Sequence, residues 1–158
     1  MHPTGVAAPA VLVWILIIVA VARPAADTLS VDNAAPSNLT IEGTIRFSGT
    51  GTLYVLLTNE TLFAERYRGV RQRVIDPDST ALRKGRQRFE FENIAPGTYA
   101  LRCFQDENGN QELDMGWFGP TEPWGMSWND TRPLGIPGFH HCSFKLTGDT
   151  TGIVLQLK

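Results

Sequence analysis

One segment of the chain, DENGNQELD, alternates side chains that carry oxygen atoms. Asp106, Asn108, Asn110 and Asp114 occupy positions 1, 3, 5 and 9 of a calcium-loop spacing, and Glu112 at position 7 would donate its backbone carbonyl. Ca²⁺ binds six to eight hard oxygen ligands, and alternate residues of a tight loop can point their side chains inward. The spacing therefore predicts a Ca²⁺ site at these five residues.

The loop departs from a complete EF-hand at two positions. Gln111 stands where the turn-forming glycine belongs, and Trp117 stands where the bidentate glutamate belongs. A completing carboxylate must come from elsewhere in the chain, with Glu107, Glu122 and Asp130 as candidates. The alternative is a loop without metal, because Asn and Asp side chains stabilise turns by bonding their own backbone.

A long Gly/Pro/Trp-rich loop is predicted over residues 116–139. Aromatic side chains offer large, rigid contact areas, so Trp117, Trp124 and Trp128, with Glu122, are candidates for binding a ligand such as a sugar. The alternative is an aromatic plug that closes one end of the fold. A loop of this length in a small domain favours one of these two purposes.

The sequence favours a protein that is not an enzyme. It contains no Gly-x-Ser-x-Gly, no His-Glu-x-x-His and no phosphate-binding glycine loop. His140 and His141 are adjacent, so on a predicted strand they point to opposite faces, with one exposed and one packed. A small carbohydrate-active enzyme remains an alternative, since Glu107 and Glu122 are a carboxylate pair of the kind that such enzymes use.

These residues must be positioned by strands, because period-two alternation dominates residues 38–158. Six or seven short strands, separated by turn residues at regular spacing, predict an all-β antiparallel sandwich. A helical spacing over residues 60–75 predicts one short crossover helix. The predicted strands are Leu39–Phe47, Leu53–Leu57, Arg88–Glu92, Thr98–Phe104, Cys142–Leu146 and Ile153–Leu157.

Charge is unevenly distributed along the 158 residues, although 14 basic side chains nearly balance 16 acidic ones. The net charge of −2 argues against a nucleic-acid-binding protein. Residues 64–88 contain eight basic and three acidic residues, which predicts a solvated face or, alternatively, a surface for anionic partners.

The N-terminus contains the run VLVWILIIVAVA, which has no charge. Residues 1–26 are predicted to be a signal peptide or a retained membrane anchor, residues 27–37 a linker, and residues 38–158 the sandwich domain. Either form of the leader predicts an extracytoplasmic protein, periplasmic or secreted, that contacts the membrane only through this segment.

Two cysteines, Cys103 and Cys142, lie in predicted strands with apolar neighbours. An oxidising compartment favours a disulfide between them. Two small buried thiols are the alternative.

From about Leu39 to Lys158 the chain carries a family resemblance, most specific in the middle third of that span, in the runs GTYALRCFQDENGNQELD, FGPTEPWGMSWND and PGFHHCSFKL. It resembles a bacterial, mostly exported family known only as a domain of unknown function, with departures at Gln105, Gln111 and Trp128. The resemblance implies a single antiparallel Greek-key β-sandwich of about seven strands, similar to transthyretin-like or carboxypeptidase-regulatory-like modules, and it implies no activity. The matching residues are Gly97, Tyr99, Ala100, Asp106, Asn108, Asn110, Asp114, Gly119, Glu122, Gly125 and Ser127.

We therefore expect a non-enzymatic module of the bacterial cell envelope that binds an envelope glycan or protein. A structural domain that is stiffened by Ca²⁺ and has no ligand is the alternative.

Overall fold

The computed structural model describes residues 38–129 and 136–158, and the alternation of apolar and polar residues marks its longer strands. The predicted leader, the linker and Asp130 lie outside the described residues. The elements in chain order are β1 (Leu39–Arg46), β2 (Thr52–Thr58), α1 (Glu60–Phe63), β3 (Arg71–Ile75), α2 (Ser79–Lys84), β4 (Arg86–Ile94), β5 (Gly97–Asp106), β6 (Met115–Gly116), β7 (Gly119–Pro120), β8 (Trp124–Met126), a 3₁₀ turn (Ser127–Asn129), α3 (Phe139–Cys142), β9 (Ser143–Leu146) and β10 (Thr150–Gln156).

Two sheets share one apolar core, which confirms the predicted all-β sandwich. One sheet has the order β10-β1-β4, and the other has the order β3-β2-β5-β8 with β9 also paired to β5. Inward-facing side chains from both sheets pack together, because strand alternation places every second residue on the buried face. The largest fully buried members are Ile41, Ile45, Leu53, Leu57, Phe91, Ile94, Leu101, Leu146 and Leu155.

The pairing of β1 with β10 is parallel, in contrast to the strictly antiparallel sheets that were expected. The other strand pairs of the described residues are antiparallel. The described residues form ten strands rather than about seven. The additional ones are β3, where a helix was predicted, and β6, β7 and β8, which contain only two or three residues each.

The predicted crossover helix is correct only for its first turn. Asn59 caps α1 by accepting the N–H of Leu62 at 3.0 Å, but the helix ends at Phe63. Beyond it, the N–H of Val70 bonds the carbonyl of Leu57 at 2.7 Å, so the chain leaves the helix and continues alongside β2. The helical spacing of apolar residues was therefore misleading, because hydrogen bonding to β2 makes residues 71–75 an edge strand.

A second helix, α2, was missed although its signals are in the sequence. Asp78 caps it by accepting the N–H groups of Thr80 and Ala81 at 2.8 and 2.7 Å. Gly85 ends it in the left-handed conformation, at a φ of 60°. No helix within the described residues has the length and apolar composition needed to cross a membrane.

The structure does not contain the disulfide that was considered between Cys103 and Cys142. Both residues are described, and no bond joins their sulfur atoms. Cys103 lies in the core between the sheets, whereas Cys142, at the end of α3, packs against Ala100 and Met126 in a separate cluster. Adjacent odd and even residues of β5 face opposite sides, so the two thiols lie on opposite faces of that sheet.

Candidate functional site

Asp106, the last residue of β5, organises the loop that follows. Its side chain is buried, and its two oxygen atoms accept the N–H groups of Gly109 and Gln111 at 2.7 and 2.8 Å. A carboxylate that accepts two backbone N–H groups satisfies donors that a tight turn would otherwise leave unpaired. Asp106 therefore turns the chain immediately after the strand.

The other predicted ligands converge on Asp114. The Nδ2 atoms of Asn108 and Asn110 donate to its two oxygen atoms at 2.6 and 3.0 Å. The Oδ1 atoms of the same two residues accept the N–H groups of Asn110 and Glu112, both at 2.9 Å. The structure thus brings Asn108, Asn110 and Asp114 together and leaves the Glu112 side chain exposed.

In this arrangement the two neutral side-chain amides stabilise the Asp114 carboxylate through their N–H donors. Within the described residues no three His, Cys, Asp or Glu side chains converge in a way that could hold a metal ion. The predicted ligand set contains only two side-chain carboxylates, Asp106 and Asp114, and its other donors are amide and carbonyl oxygens. A Ca²⁺ ion would require the two asparagines to turn their oxygen atoms towards Asp114.

Gln111 adopts the backbone conformation that the calcium-loop spacing assigns to glycine. Its φ is 67°, in the left-handed region, where a side chain with a Cβ atom is disfavoured. The turn therefore forms with a residue other than glycine in its left-handed position, and this conformation strains the backbone locally.

Glu122 closes the loop from outside. Its carboxylate is buried, and its two oxygen atoms accept the N–H groups of Glu107 at 3.0 Å and Asp114 at 3.2 Å. It was predicted as a completing metal ligand, a ligand-binding residue or one of two catalytic carboxylates. Both of its oxygen atoms are engaged with the backbone, so the structure gives it the role of a clamp across the loop.

Acidic residues surround the loop on one side. Asp76, Asp106 and Glu107 line an open depression beside it, and Thr52 donates to Asp76 at 2.7 Å. Burial, together with the negative charges of Asp106 and Asp76, raises the pKa of the Tyr54 phenol. Carboxylate groups are therefore concentrated at the end of the sheet that carries the loop.

The residues after the loop form a hairpin that the sequence did not predict. β6 and β7 pair through Met115 with Pro120 and Gly116 with Gly119, and Trp117 and Phe118 form the two-residue tip. Both tip side chains are fully exposed, at 101% and 104% of the reference surface. The base is fixed to the loop, since the N–H of Thr121 donates to the carbonyl of Asp114 at 2.9 Å.

The three tryptophans of the predicted ligand site have different environments. Trp124 in β8 is half-buried and packs, like Leu113, against a buried cluster that contains Phe104. Trp128 is 58% exposed, donates its ring N–H to Ser143 at 2.9 Å and has a φ of 67°. Trp117 stands at the hairpin tip. The structure therefore packs Trp124 into the fold and exposes the other two.

Arg102 fixes residues 63–68, the segment that contacts the loop, and this role was not predicted. Its guanidinium group donates to the carbonyls of Phe63, Glu65 and Arg68 at 2.7–3.3 Å. Desolvation lowers the pKa of this arginine. In the same segment the Tyr67 hydroxyl donates to the carbonyl of Leu113 at 3.3 Å. The only available signal was a single basic residue in an acidic part of the chain.

The histidines lie where the sequence did not place them. His140 and His141 belong to α3 rather than to a strand, and both are exposed, so the prediction of one packed histidine was wrong. His140 lies 3.4 Å from the Glu60 carboxylate. His140 and Glu60 therefore form a pair on the protein surface.

Replacing Glu122 tests the clamp. In Glu122→Gln one backbone N–H faces an amide NH₂ instead of an oxygen atom, so we expect the free energy of unfolding to fall by about 1–3 kcal/mol. Urea unfolding measures this change. The control is Glu112→Gln, at an exposed side chain, for which we expect a change within about 0.5 kcal/mol. Equal effects of the two variants would contradict the clamp.

Replacing Gln111 tests the strain in the loop. Gln111→Gly removes the Cβ atom at a positive φ, and we expect stability to rise by about 0.5–1 kcal/mol in the same unfolding measurement. The control is Glu112→Gly, whose φ is not positive, and there we expect a loss. A loss of stability in Gln111→Gly would show that the left-handed conformation costs this residue nothing.

Comparison with known proteins identifies a family. Neither the curated proteins nor the solved structures include a significant match to this chain. The profile of a family described as "Uncharacterized protein conserved in bacteria (DUF2141)" matches residues 41–154, which is most of the chain and nearly all of the sandwich. The resemblance to an uncharacterised bacterial family is thereby confirmed, and the chain belongs to the DUF2141 family.

Proposed function

We propose that this protein is a non-catalytic binding module of the bacterial cell envelope, which presents the Trp117–Phe118 hairpin on a Ca²⁺-binding acidic loop. The single observation that carries the proposal is the full exposure of both aromatic side chains on a hairpin whose base is bonded to the loop. Large exposed apolar groups that are held in place mark interaction sites on soluble domains. Aromatic side chains are also the residues that most often dominate binding energy.

The environment of the candidate nucleophiles supports a non-catalytic role. Burial raises the pKa of the Cys103 thiol, which keeps it protonated. The buried Ser127 hydroxyl is bonded to the backbone of Leu101 and Cys142. Glu122 bonds two N–H groups and is 6% exposed, so it does not face a cleft together with Glu107.

The geometry of the acidic loop supports Ca²⁺ as its ion. Asn108, Asn110 and Asp114 already lie within hydrogen-bond distance of one another, and Gln111 already has the left-handed conformation of the loop turn. With two charged ligands, the affinity belongs to the weak class of extracellular sites, with a Kd on the order of 10⁻⁴–10⁻³ M. Such an affinity suits an envelope protein, and the apolar leader supports that location.

Calcium titration tests this function. We expect heat on calorimetric titration of the chelator-treated protein, and millimolar Ca²⁺ should stabilise the fold by about 1–3 kcal/mol. The paired substitutions Asp106→Asn and Asp114→Asn should abolish both effects because they remove both charged ligands.

Glu112→Gln is the matched control for this titration, since only the backbone carbonyl of Glu112 is a predicted ligand. It should retain the heat and the stabilisation. Absence of heat and of stabilisation in the wild-type protein would contradict the Ca²⁺ site, and equal loss in Glu112→Gln would show that the ion binds by general charge alone.

A further inference from the structure

The fold divides the basic stretch of residues 64–88 into two groups. Half of its eight basic side chains have partners within the chain, and these are Arg68, Arg71, Arg73 and Arg83. Lys84, Arg86 and Arg88 run from the end of α2 into β4, and their side chains form no hydrogen bond or ion pair within the described residues. Arg46 in β1 is a further cation of this second kind.

Strand pairing places three of these cations side by side on the outer face of the β10-β1-β4 sheet. Arg46 is directly opposite Arg86 in the antiparallel register of β1 with β4, and Thr44 is opposite Arg88. All three arginines are exposed. Opposed residues have Cβ atoms about 5 Å apart, and diagonal neighbours are about 7–8 Å apart. The three guanidinium groups are therefore attached close enough together to contact one small anion.

Within the part of the chain that the structure describes, no carboxylate pairs with Arg46 or Arg86. On the other side of β1, the residue paired with Arg46 is Gln156 of β10, which is uncharged. The acidic residues of this face form an opposed pair of their own, Glu42 and Glu90, four residues further along the strands. Like charges directly opposite each other destabilise a sheet. The fold therefore keeps a repulsion between Arg46 and Arg86 that a bound anion relieves.

A depression beside these residues gives an anion room to bind. Its volume is about 500 Å³, and Lys84, Arg86 and Arg88 line it together with Thr44. The carboxylate in its wall, Asp78, already accepts two backbone N–H groups of α2. Pockets that hold small ligands have volumes of about 300–1,000 Å³. The unpaired cations therefore face a space of the size that a small ligand fills.

The number of cations and their closeness select the class of anion. A phosphoryl group carries up to about two negative charges and three acceptor oxygen atoms in a compact volume, whereas a carboxylate carries one charge. A guanidinium group binds phosphate through two parallel N–H···O bonds, so neighbouring arginines engage different oxygen atoms. A diphosphate joins two such groups and so offers acceptors to all three arginines.

We propose that the outer sheet face at Arg46, Arg86 and Arg88 binds the diphosphate group of a small soluble ligand. The three guanidinium groups donate to its oxygen atoms, and Lys84 adds positive charge at the edge of the depression. The site uses neither the acidic loop nor the Trp117–Phe118 hairpin, so it goes beyond the proposed function and does not depend on it.

Calorimetric titration of the full chain with inorganic pyrophosphate tests the site. The protein is first freed of Ca²⁺ with a chelator, and the ionic strength is held constant with NaCl, because salt screens exposed charges. We expect saturable binding at one site, weaker binding of inorganic phosphate and a higher Tm with pyrophosphate. Absence of saturable pyrophosphate binding would overturn the proposal, also where phosphatidylglycerol vesicles capture the protein, since the partner would then be a surface.

Arg86→Gln should weaken pyrophosphate binding about tenfold or more, because it removes the charged hydrogen bonds of one guanidinium group. The matched control is Arg71→Gln, which removes the same charge from an exposed position in β3, on the other sheet, and should retain the affinity. Equal weakening in both variants would show binding by general charge and overturn the site.

Stability without ligand separates an anion site from a structural role of the arginines. Arg46→Gln removes the repulsion with Arg86, so we expect the Tm of the ligand-free protein to stay unchanged or to rise. A clear fall in Tm would show that Arg46 holds the sheet together and would overturn the proposal.

Discussion

The candidate site depends on the buried carboxylate of Glu122, which accepts hydrogen bonds from two backbone N–H groups. Glu122 accepts the backbone N–H groups of both Glu107 and Asp114, so its carboxylate ties the start of the loop to its end. A carboxylate that is 6% exposed needs such partners, because removing an unpaired charge from water is costly. The loop and the clamp are therefore mutually dependent: the backbone stabilises the charge, and the charge fixes the direction in which the hairpin leaves the sheet.

The side chains of the acidic loop are hydrogen-bonded within the chain itself. Asp106, Asn108 and Asn110 accept backbone N–H groups, and Asp114 accepts amide groups. A loop of this kind does not need Ca²⁺ in order to fold, in contrast to structural metal sites whose ligands cannot be satisfied without metal. On the proposed function, the ion replaces amide groups at Asp114 and stiffens an existing turn, and the hairpin beyond it changes little.

Alternation in the sequence was sufficient to predict the sandwich and its core, because burial on one face leaves a period-two pattern in strands such as β1. The alternation could not predict the role of Glu122 as a clamp. Fifteen residues separate Glu122 from Glu107, and only the folded chain brings the two together. Two-residue strands leave no periodicity, so the hairpin and its exposed Trp117 were hidden in an apparent loop. Around Val70, hydrogen bonding to β2 overrode the helical spacing of apolar residues.

Residue-resolved hydrogen exchange of the wild-type protein tests the clamp most directly. The account predicts that the amide hydrogens of Glu107 and Asp114 exchange slowly although both residues lie outside the long strands, because each donates to the buried Glu122 carboxylate. Exchange at both amides at the rate of an unstructured peptide, while the neighbouring amides of β5 stay protected, would contradict it. The loop that carries the hairpin would then lack the Glu122 clamp.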